Sequence, residues 1–281
     1  MKKIAWVTDS TCYIEPEFAR RHNIFVVPMG ISFDSEMYKD RVDITEEEFY
    51  QKLTSSRNLP KSSQPAMGDL VTLYEELKKE YDLGIAIHVS SELSGTANAS
   101  KQAADIADFP LELVDSKLIS MPMSYMITKG QEMIDQGVSP AEVANKLRTM
   151  YGSNQLYVMV GSLEQLHKGG RVSALQMMMG SLLQIKPILT FQEGKLIPHE
   201  KVRSQKKALS YMVSRLKSDL EQGMHVKTVF ILEGSAAQEA LNVQEQIRSL
   251  SPNIEIVIGP LGSAIGVHAG AGTIALTWFR E

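Results

Sequence analysis

Three apolar segments in the first half of the chain each run into a cluster of serine, threonine or aspartate and then into a helical pattern. They are Lys3 to Val7, Leu83 to Val89, and Leu111 to Val114. Near-continuous apolar runs are typical of strands covered on both faces, and repeated strand–loop–helix units favour a parallel sheet. Ligands of such sheets gather at the carboxyl ends of the strands. We therefore expect Thr8, Ser94 and Asp115 along one edge.

The second half of the chain has a different pattern. Two strand-like runs flank a turn at Gln192 to Lys195, and further strands and helices alternate after it. This arrangement predicts a mixed sheet with helices. The length of 281 residues fits about two domains. We predict two α/β domains, residues 1–154 with a parallel sheet flanked by helices and residues 155–281 with a mixed sheet and helices.

Composition excludes several classes of protein. Hydrophobic residues make up 43% and charged residues 22%, which is typical of a folded globular chain. A net charge of −4 argues against non-specific binding to nucleic acid. The single cysteine, Cys12, and the absence of a signal-peptide pattern favour the cytoplasm. The uncharged stretch Ile256 to Phe279 has five glycines, so we expect a buried strand, loops and a short helix there instead of stable membrane insertion.

The segment Ser90 to Thr96 is a candidate anion site. It lies between a predicted strand and a predicted helix, so the free amides of the first helical turn would face an anion. Ser94 adds a hydroxyl, and Gly95 allows close approach to the backbone. The alternative is that Ser94 only caps the helix.

A second alternative is a serine hydrolase with Ser94 as nucleophile and His268 as base. The nucleophile elbow requires glycines two positions before and after the serine. Those positions are Glu92 and Thr96, so the motif is not met. No nucleotide-binding or metal-binding motif is present either, and we expect no cofactor and no metal.

Three further groups of residues could bind a ligand or a partner. Ser62 lies in the polar loop Lys61 to Pro65, which otherwise would be a solvated turn. Arg171 follows a double glycine, and Arg203 lies in a basic cluster that a solvated face would also explain. A guanidinium suits a carboxylate or a phosphate. Clustered methionines could line a cavity or only pack the core; they are Met121, Met123, Met126 and the run Met177 to Met179.

Taken in order, the motifs resemble those of the DegV family of bacterial fatty-acid-binding proteins, over nearly the whole chain. They are Thr8-Asp9-Ser10-Thr11, Ser62-Ser63-Gln64-Pro65, Ser90 to Thr96, Val114-Asp115-Ser116, Lys168-Gly169-Gly170-Arg171, Ile185 to Leu189, Glu200-Lys201-Val202-Arg203, Ile258-Gly259-Pro260 and Gly266 to Gly270. The chain departs from the usual pattern at Ser62, where the family commonly has threonine, and at Met121-Pro122-Met123, where glycines are common. These departures affect the shape of the pocket more than the chemistry of the head group.

The resemblance implies two α/β domains with one long-chain fatty acid buried between them. Ser62, Ser94 and the backbone near Gly95 would hold its carboxylate, with His268 close by. The acid would be presented to the separate ATP-binding subunit of a fatty acid kinase, whose acyl phosphate product enters phospholipid synthesis. Arg171 and Arg203 match positions associated with that subunit or the phosphate. Such a carrier is not itself catalytic. The serine hydrolase stays the first alternative, and a partner-binding module without lipid is the second.

Overall fold

The computed structural model describes residues 3–172 and 185–281. The chain divides into two compact units, which we call the first and second units. The first unit comprises Met1–Thr45, Pro60–Gly152 and Gly262–Ala264, and the second comprises Glu46–Leu59, Ser153–Leu261 and Ile265–Glu281.

The first unit contains seven of the described strands. They are β1 (Ile4–Asp9), β2 (Ile24–Val27), β3 (Gly30–Phe33), β4 (Glu36–Lys39), β5 (Lys61–Ser63), β6 (Leu83–His88) and β7 (Leu111–Asp115). Four of them form a fully parallel sheet in the order β2-β1-β6-β7. The predicted parallel sheet is thus confirmed. Because all four strands run the same way, the loops that follow β1, β6 and β7 leave from the same edge.

Six helices occur in the first half of the chain. They are α1 (Pro16–Arg21), α2 (Glu46–Ser55), α3 (Met67–Lys78), α4 (Thr96–Ile106), α5 (Met121–Asp135) and α6 (Pro140–Met150), followed by a 3-10 helix at Tyr151–Ser153. Helix α2 belongs to the second unit and the other five belong to the first. Helices α3 and α4 pack on the parallel sheet through one apolar cluster that includes Tyr74, Ala99, Ala103 and Phe109. The small alanine side chains of α4 let its axis approach the strands closely.

A second, antiparallel sheet in the first unit has the order β4-β3-β5. It corrects the expectation that Lys61 to Pro65 is only a polar loop, because Lys61–Ser63 forms β5 and Ser62 pairs with Ile31. The strand consists of three polar residues, so it is too short to show an alternation of apolar and polar side chains. Its pairing with β3 is a long-range contact that the local pattern does not encode.

The second unit contains a six-stranded sheet in the order β10-β9-β8-β13-β11-β12. Its strands are β8 (Asn154–Met159), β9 (Lys186–Gln192), β10 (Lys195–Val202), β11 (Thr228–Gly234), β12 (Glu255–Pro260) and β13 (Thr273–Phe279). Only β11 and β12 pair in parallel; the remaining pairs are antiparallel. The sheet is therefore mixed, as predicted.

The remaining described helices also belong largely to the second unit. They are α7 (Leu163–Lys168), α8 (Gln205–Glu221), α9 (Ala237–Leu250) and α10 (Ser263–Ala269). The core of the unit is built around Trp278, whose indole Nε1 donates to Asp219 over 2.9 Å. Trp278 lies in β13, every residue of which is buried. The stretch Ile256 to Phe279 thus contains most of β12, then α10 and β13, and none of the described helices is long and apolar enough to cross a membrane.

Candidate functional site

The loop between β6 and α4 is fixed at both ends by hydrogen bonds. The amides of Leu93 and Ser94 donate to the carbonyl oxygen of Ser90 over 2.9 and 3.1 Å. The hydroxyl of Ser91 donates to the Asp115 carboxylate over 2.5 Å, and its amide donates to the same carboxylate over 3.1 Å. Asp115 ends β7, so the loop is tied to the neighbouring strand. This bracing presents Ser94 at the start of α4.

Ser94 does not cap α4. The N-cap residue is Gly95, and the helix begins at Thr96 without a side-chain cap. The Ser94 hydroxyl instead lies 2.8 Å from Oγ1 of the buried Thr96, a partner that the sequence did not single out. Since the first amides of a helix lack partners within the helix and carry its positive dipole, this end of α4 suits a carboxylate or a phosphate.

The segment that contains Ser62 approaches the same end of α4. A Cβ atom on Gly95 would lie only 2.3 Å from Oε1 of Gln64. Gln64 directly follows β5 and is two residues after Ser62, so the structure brings the end of this strand next to the Ser94–Gly95 loop. Glycine at position 95 is what allows this close approach. The end of β5 thus approaches the N-terminus of α4 through Gln64, and binding of a carboxylate by Ser62 and Ser94 stays a prediction.

In the second unit, the double glycine follows α7. The Ser162 side chain caps this helix by accepting the Gln165 amide, and the helix ends at Gly169. Gly170 has a φ of +67°, a left-handed conformation that favours glycine. The turn carries Arg171, whose Nη1 donates to the carbonyl of Gly169 over 2.7 Å. Arg171 is exposed, and a planar guanidinium suits a carboxylate or a phosphate.

His268 packs against this turn. Its Nδ1 lies only 2.2 Å from the position that a Cβ atom on Gly169 would occupy. Burial, assisted by the positive charge of Arg171, lowers the pKa of His268 from 6.5 to about 4. The imidazole is therefore neutral at pH 7 and can donate one N–H to an anion. The structure thus brings His268 and Arg171 together, through a contact at Gly169 that the sequence did not reveal.

Arg203 is exposed at the bend that follows β10. Its role in binding a partner or a phosphate stays a prediction. Met121, Met123 and Met126 are buried on α5, whereas the predicted methionine run Met177 to Met179 lies outside the described residues.

The geometry gives little support to hydrolysis at Ser94. A base with a pKa of about 4, as His268 has, is a weak proton acceptor, whereas efficient general bases have pKa values near the working pH. Among the residues that the structure describes, no group of three or more His, Cys, Asp or Glu side chains could hold a metal ion.

Comparison with known proteins identifies the family. A family model named DegV, described as an uncharacterised protein family, matches residues 3–281. The chain belongs to the DegV family. Protein DegV of Bacillus subtilis is 35% identical over 277 residues, which cover 98% of each chain. The resemblance inferred from the motifs is thus confirmed.

Solved structures of DegV proteins share the fold. The crystal structure of DegV from Bacillus subtilis, described as a fatty acid binding protein, matches with a TM-score of 0.91 and 34% identity over 100% of both chains. A DegV family protein from Thermus thermophilus, described by its fatty acid binding, matches with a TM-score of 0.90 and 26% identity over 99% of this chain and 100% of that one. The two-domain α/β fold predicted for the chain is therefore that of the DegV family.

Proposed function

We propose that this chain binds a long-chain fatty acid and presents its carboxylate to the catalytic subunit of a fatty acid kinase. The observation that carries the proposal is the end-to-end match, at 34% identity, to a DegV protein described as fatty acid binding. The kinase would convert the carboxylate to an acyl phosphate for phospholipid synthesis. The carrier itself would be non-catalytic and would act in the cytoplasm.

The carboxylate would bind at the start of α4. The Ser94 hydroxyl and the backbone amides at Gly95 supply donors there, and Ser62 lies on the adjoining strand. Hydrogen bonds to a charged group are worth about 1.5–3 kcal/mol each. For His268, we propose that the neutral imidazole also contacts the head group. These donors would set the orientation of the ligand.

The acyl chain would supply most of the affinity. At roughly 0.8 kcal/mol per methylene, about 15 methylenes offer on the order of 12 kcal/mol before the costs of association. A carrier needs no nucleophile or base of its own, which agrees with the low pKa of His268.

Arg171 and Arg203 are our candidates for contact with the kinase subunit or with the phosphate. Both side chains are exposed, and a guanidinium fork suits phosphate oxygens. Replacement of either arginine by glutamine should lower the rate of acyl phosphate formation by an added kinase subunit without loss of bound fatty acid. A rate equal to that of the wild type in both variants would contradict this assignment.

The fatty acid proposal is tested first by mass spectrometry of an organic extract from the purified, denatured protein. We expect near-stoichiometric fatty acid. Ser94→Ala should then weaken binding of hexadecanoic acid by about tenfold to a hundredfold. Thr149→Ala is the control, because it removes an exposed hydroxyl on α6 that donates to the carbonyl of Lys146 over 3.0 Å, and its affinity for the acid should stay near that of the wild type.

Two outcomes would contradict the proposal. A protein that is extracted empty and binds no added fatty acid would favour the module without lipid. Turnover of an activated acyl ester that Ser94→Ala abolishes, with binding of the acyl chain retained, would favour the hydrolase.

A further inference from the structure

Four buried polar side chains form a continuous chain of hydrogen bonds in the first unit. The Asp9 carboxylate lies 3.0 Å from Nδ1 of His88. Nε2 of His88 lies 2.8 Å from the Ser100 hydroxyl, which in turn lies 2.5 Å from the Tyr74 hydroxyl. All four residues have a relative exposure of 0%. A buried polar network is costly when a member lacks a partner, and it makes the surrounding structure rigid when every member is hydrogen-bonded, as here.

The order Ser–His–Asp is that of a catalytic triad, but this arrangement cannot act as one. Ser100 lies in the second turn of α4 and has no exposed surface. Its hydroxyl is held between His88 and Tyr74, so no substrate can reach the oxygen. The chain of hydrogen bonds must therefore act by holding structural elements in place.

The Asp9 carboxylate is the fixed end of the chain. Burial would raise its pKa, but hydrogen bonds from His88, Thr11 and Val89, with the charge of His88, hold it below the usual value. Asp9 accepts from the Val89 amide over 2.9 Å and from the amide and hydroxyl of Thr11 over 3.1 and 2.5 Å. Because Asp9 is ionised, Nδ1 of His88 carries the proton that faces it, and this contact fixes the orientation of the ring.

His88 ends β6, and the last two members of the chain lie on helices α4 and α3. Ser100 is on α4, which begins directly after Ser94 and Gly95. Tyr74 is on α3, which begins shortly after Ser62 and Gln64. The hydrogen bonds therefore join both helices to the carboxyl ends of β1 and β6. A helix that is fixed one turn from its N-terminus cannot rotate or slide without moving the amides that face the ligand.

We propose that Asp9, His88, Ser100 and Tyr74 are positioning residues for the carboxylate site at the start of α4. This inference rests on the proposed function, fatty acid binding. The four residues touch no ligand; they set the place of the Ser94 hydroxyl and of the first amides of α4, so that these donors converge on one anion. Their loss should weaken recognition of the carboxylate and leave recognition of the acyl chain intact.

The test compares two ligands that share an acyl chain, hexadecanoic acid and hexadecan-1-ol. Their dissociation constants are measured for the full-length wild type and for Ser100→Ala, Tyr74→Phe and the double variant. Each single variant should weaken binding of the acid by about threefold to tenfold and change that of the alcohol by less than about twofold. The double variant should bind the acid about as weakly as the single variant with the lower affinity, because both substitutions break the same hydrogen bond between Ser100 and Tyr74.

Ser116→Ala is the matched control. Ser116 is also fully buried in the first unit, and its hydroxyl donates to the carbonyl of Leu118 over 3.1 Å, outside the chain of four. The control should lower the melting temperature while the ratio of acid to alcohol affinity stays that of the wild type. Tyr74→Phe keeps the volume of the side chain, so it tests the positioning role on its own if Ser100→Ala does not fold.

The outcomes separate this inference from the proposed function. Wild-type binding of the acid, with an unchanged acid-to-alcohol ratio in Ser100→Ala and Tyr74→Phe, would overturn the positioning role and leave fatty acid binding in place. A wild type that binds neither ligand would overturn the proposed function and this inference with it.

Discussion

Gly169 lies against the imidazole of His268, and an alanine there would displace the ring. The backbone at Gly169 has a φ of −67° and a ψ of −18°, which alanine adopts without strain. The new Cβ, however, would lie 2.2 Å from Nδ1 of His268 and 2.9 Å from the carbonyl oxygen of Gln165. Ordinary contact begins at 3.4 Å, so the ring must move by roughly 1 Å or more. Overpacking of this kind costs about 1–3 kcal/mol.

Gly170→Ala is the matched control for Gly169→Ala. Nothing lies within 4 Å of a Cβ at this position, but its φ of +67° is unfavourable for alanine. The control should therefore lose about 1–2 kcal/mol of stability through backbone strain while His268 keeps its place. The two neighbouring variants are then similarly destabilised and differ in the position of one side chain.

The assay is an NMR titration of the His268 Hε1 resonance, together with urea unfolding and fatty acid binding. In the wild type and in Gly170→Ala we expect the pKa of His268 to stay at about 4. In Gly169→Ala the displaced ring should be better hydrated, and its pKa should rise towards 6.5 with weaker binding of the acid. An unchanged pKa and unchanged affinity in Gly169→Ala would refute the contact and its role.

Two further predictions concern stability. Gly130→Ala should lower the free energy of unfolding by about 1–2 kcal/mol, because its Cβ would lie 2.4 Å from the Trp6 ring and overpacking outweighs the gain in helix propensity. Gly68→Ala, whose Cβ meets nothing within 4 Å, should instead raise the free energy of unfolding by up to about 1 kcal/mol. Equal shifts of the two variants in urea unfolding would contradict this prediction. Because the pKa of His268 falls from 6.5 to about 4 on folding, the unfolded chain binds more protons between these values. Stability should decline as the pH drops through this range, and chemical denaturation of His268→Gln at a series of pH values should show a flatter dependence than the wild type.

The parallel sheet could be predicted from the sequence because its information is local. Strands β1 and β6 are apolar almost throughout, as burial on both faces requires, and each ends at the polar residues that begin the next loop. The rule that ligands gather at the carboxyl ends of parallel strands then places Ser94 near a site before any contact is known. Ser62, on the antiparallel strand β5, is outside the reach of this rule.

Elements that depend on distant partners could not be predicted in the same way. Strand β5 is short and polar, and only its pairing with β3 makes it a strand. Strand β13 is buried along its whole length and lies between β8 and β11; a run that is buried on every side has no periodicity to distinguish strand from helix. In both cases the neighbours in space, and not those in the sequence, decide the structure.

His88 shows how a buried hydrogen-bond partner can be missed inside a correctly predicted strand. In the sequence it is one polar residue within an apolar run, and Asp9 belongs to a loop motif 79 positions away. The parallel register pairs Val7 with Ala86, so two residues further along, Asp9 and His88 come to the same level of adjacent strands. A search for charged or polar residues at equal distances from the ends of neighbouring parallel strands would have found the pair. The positioning role that we propose for Asp9 and His88 thus depends on the register of the sheet, which the loop motifs do not encode.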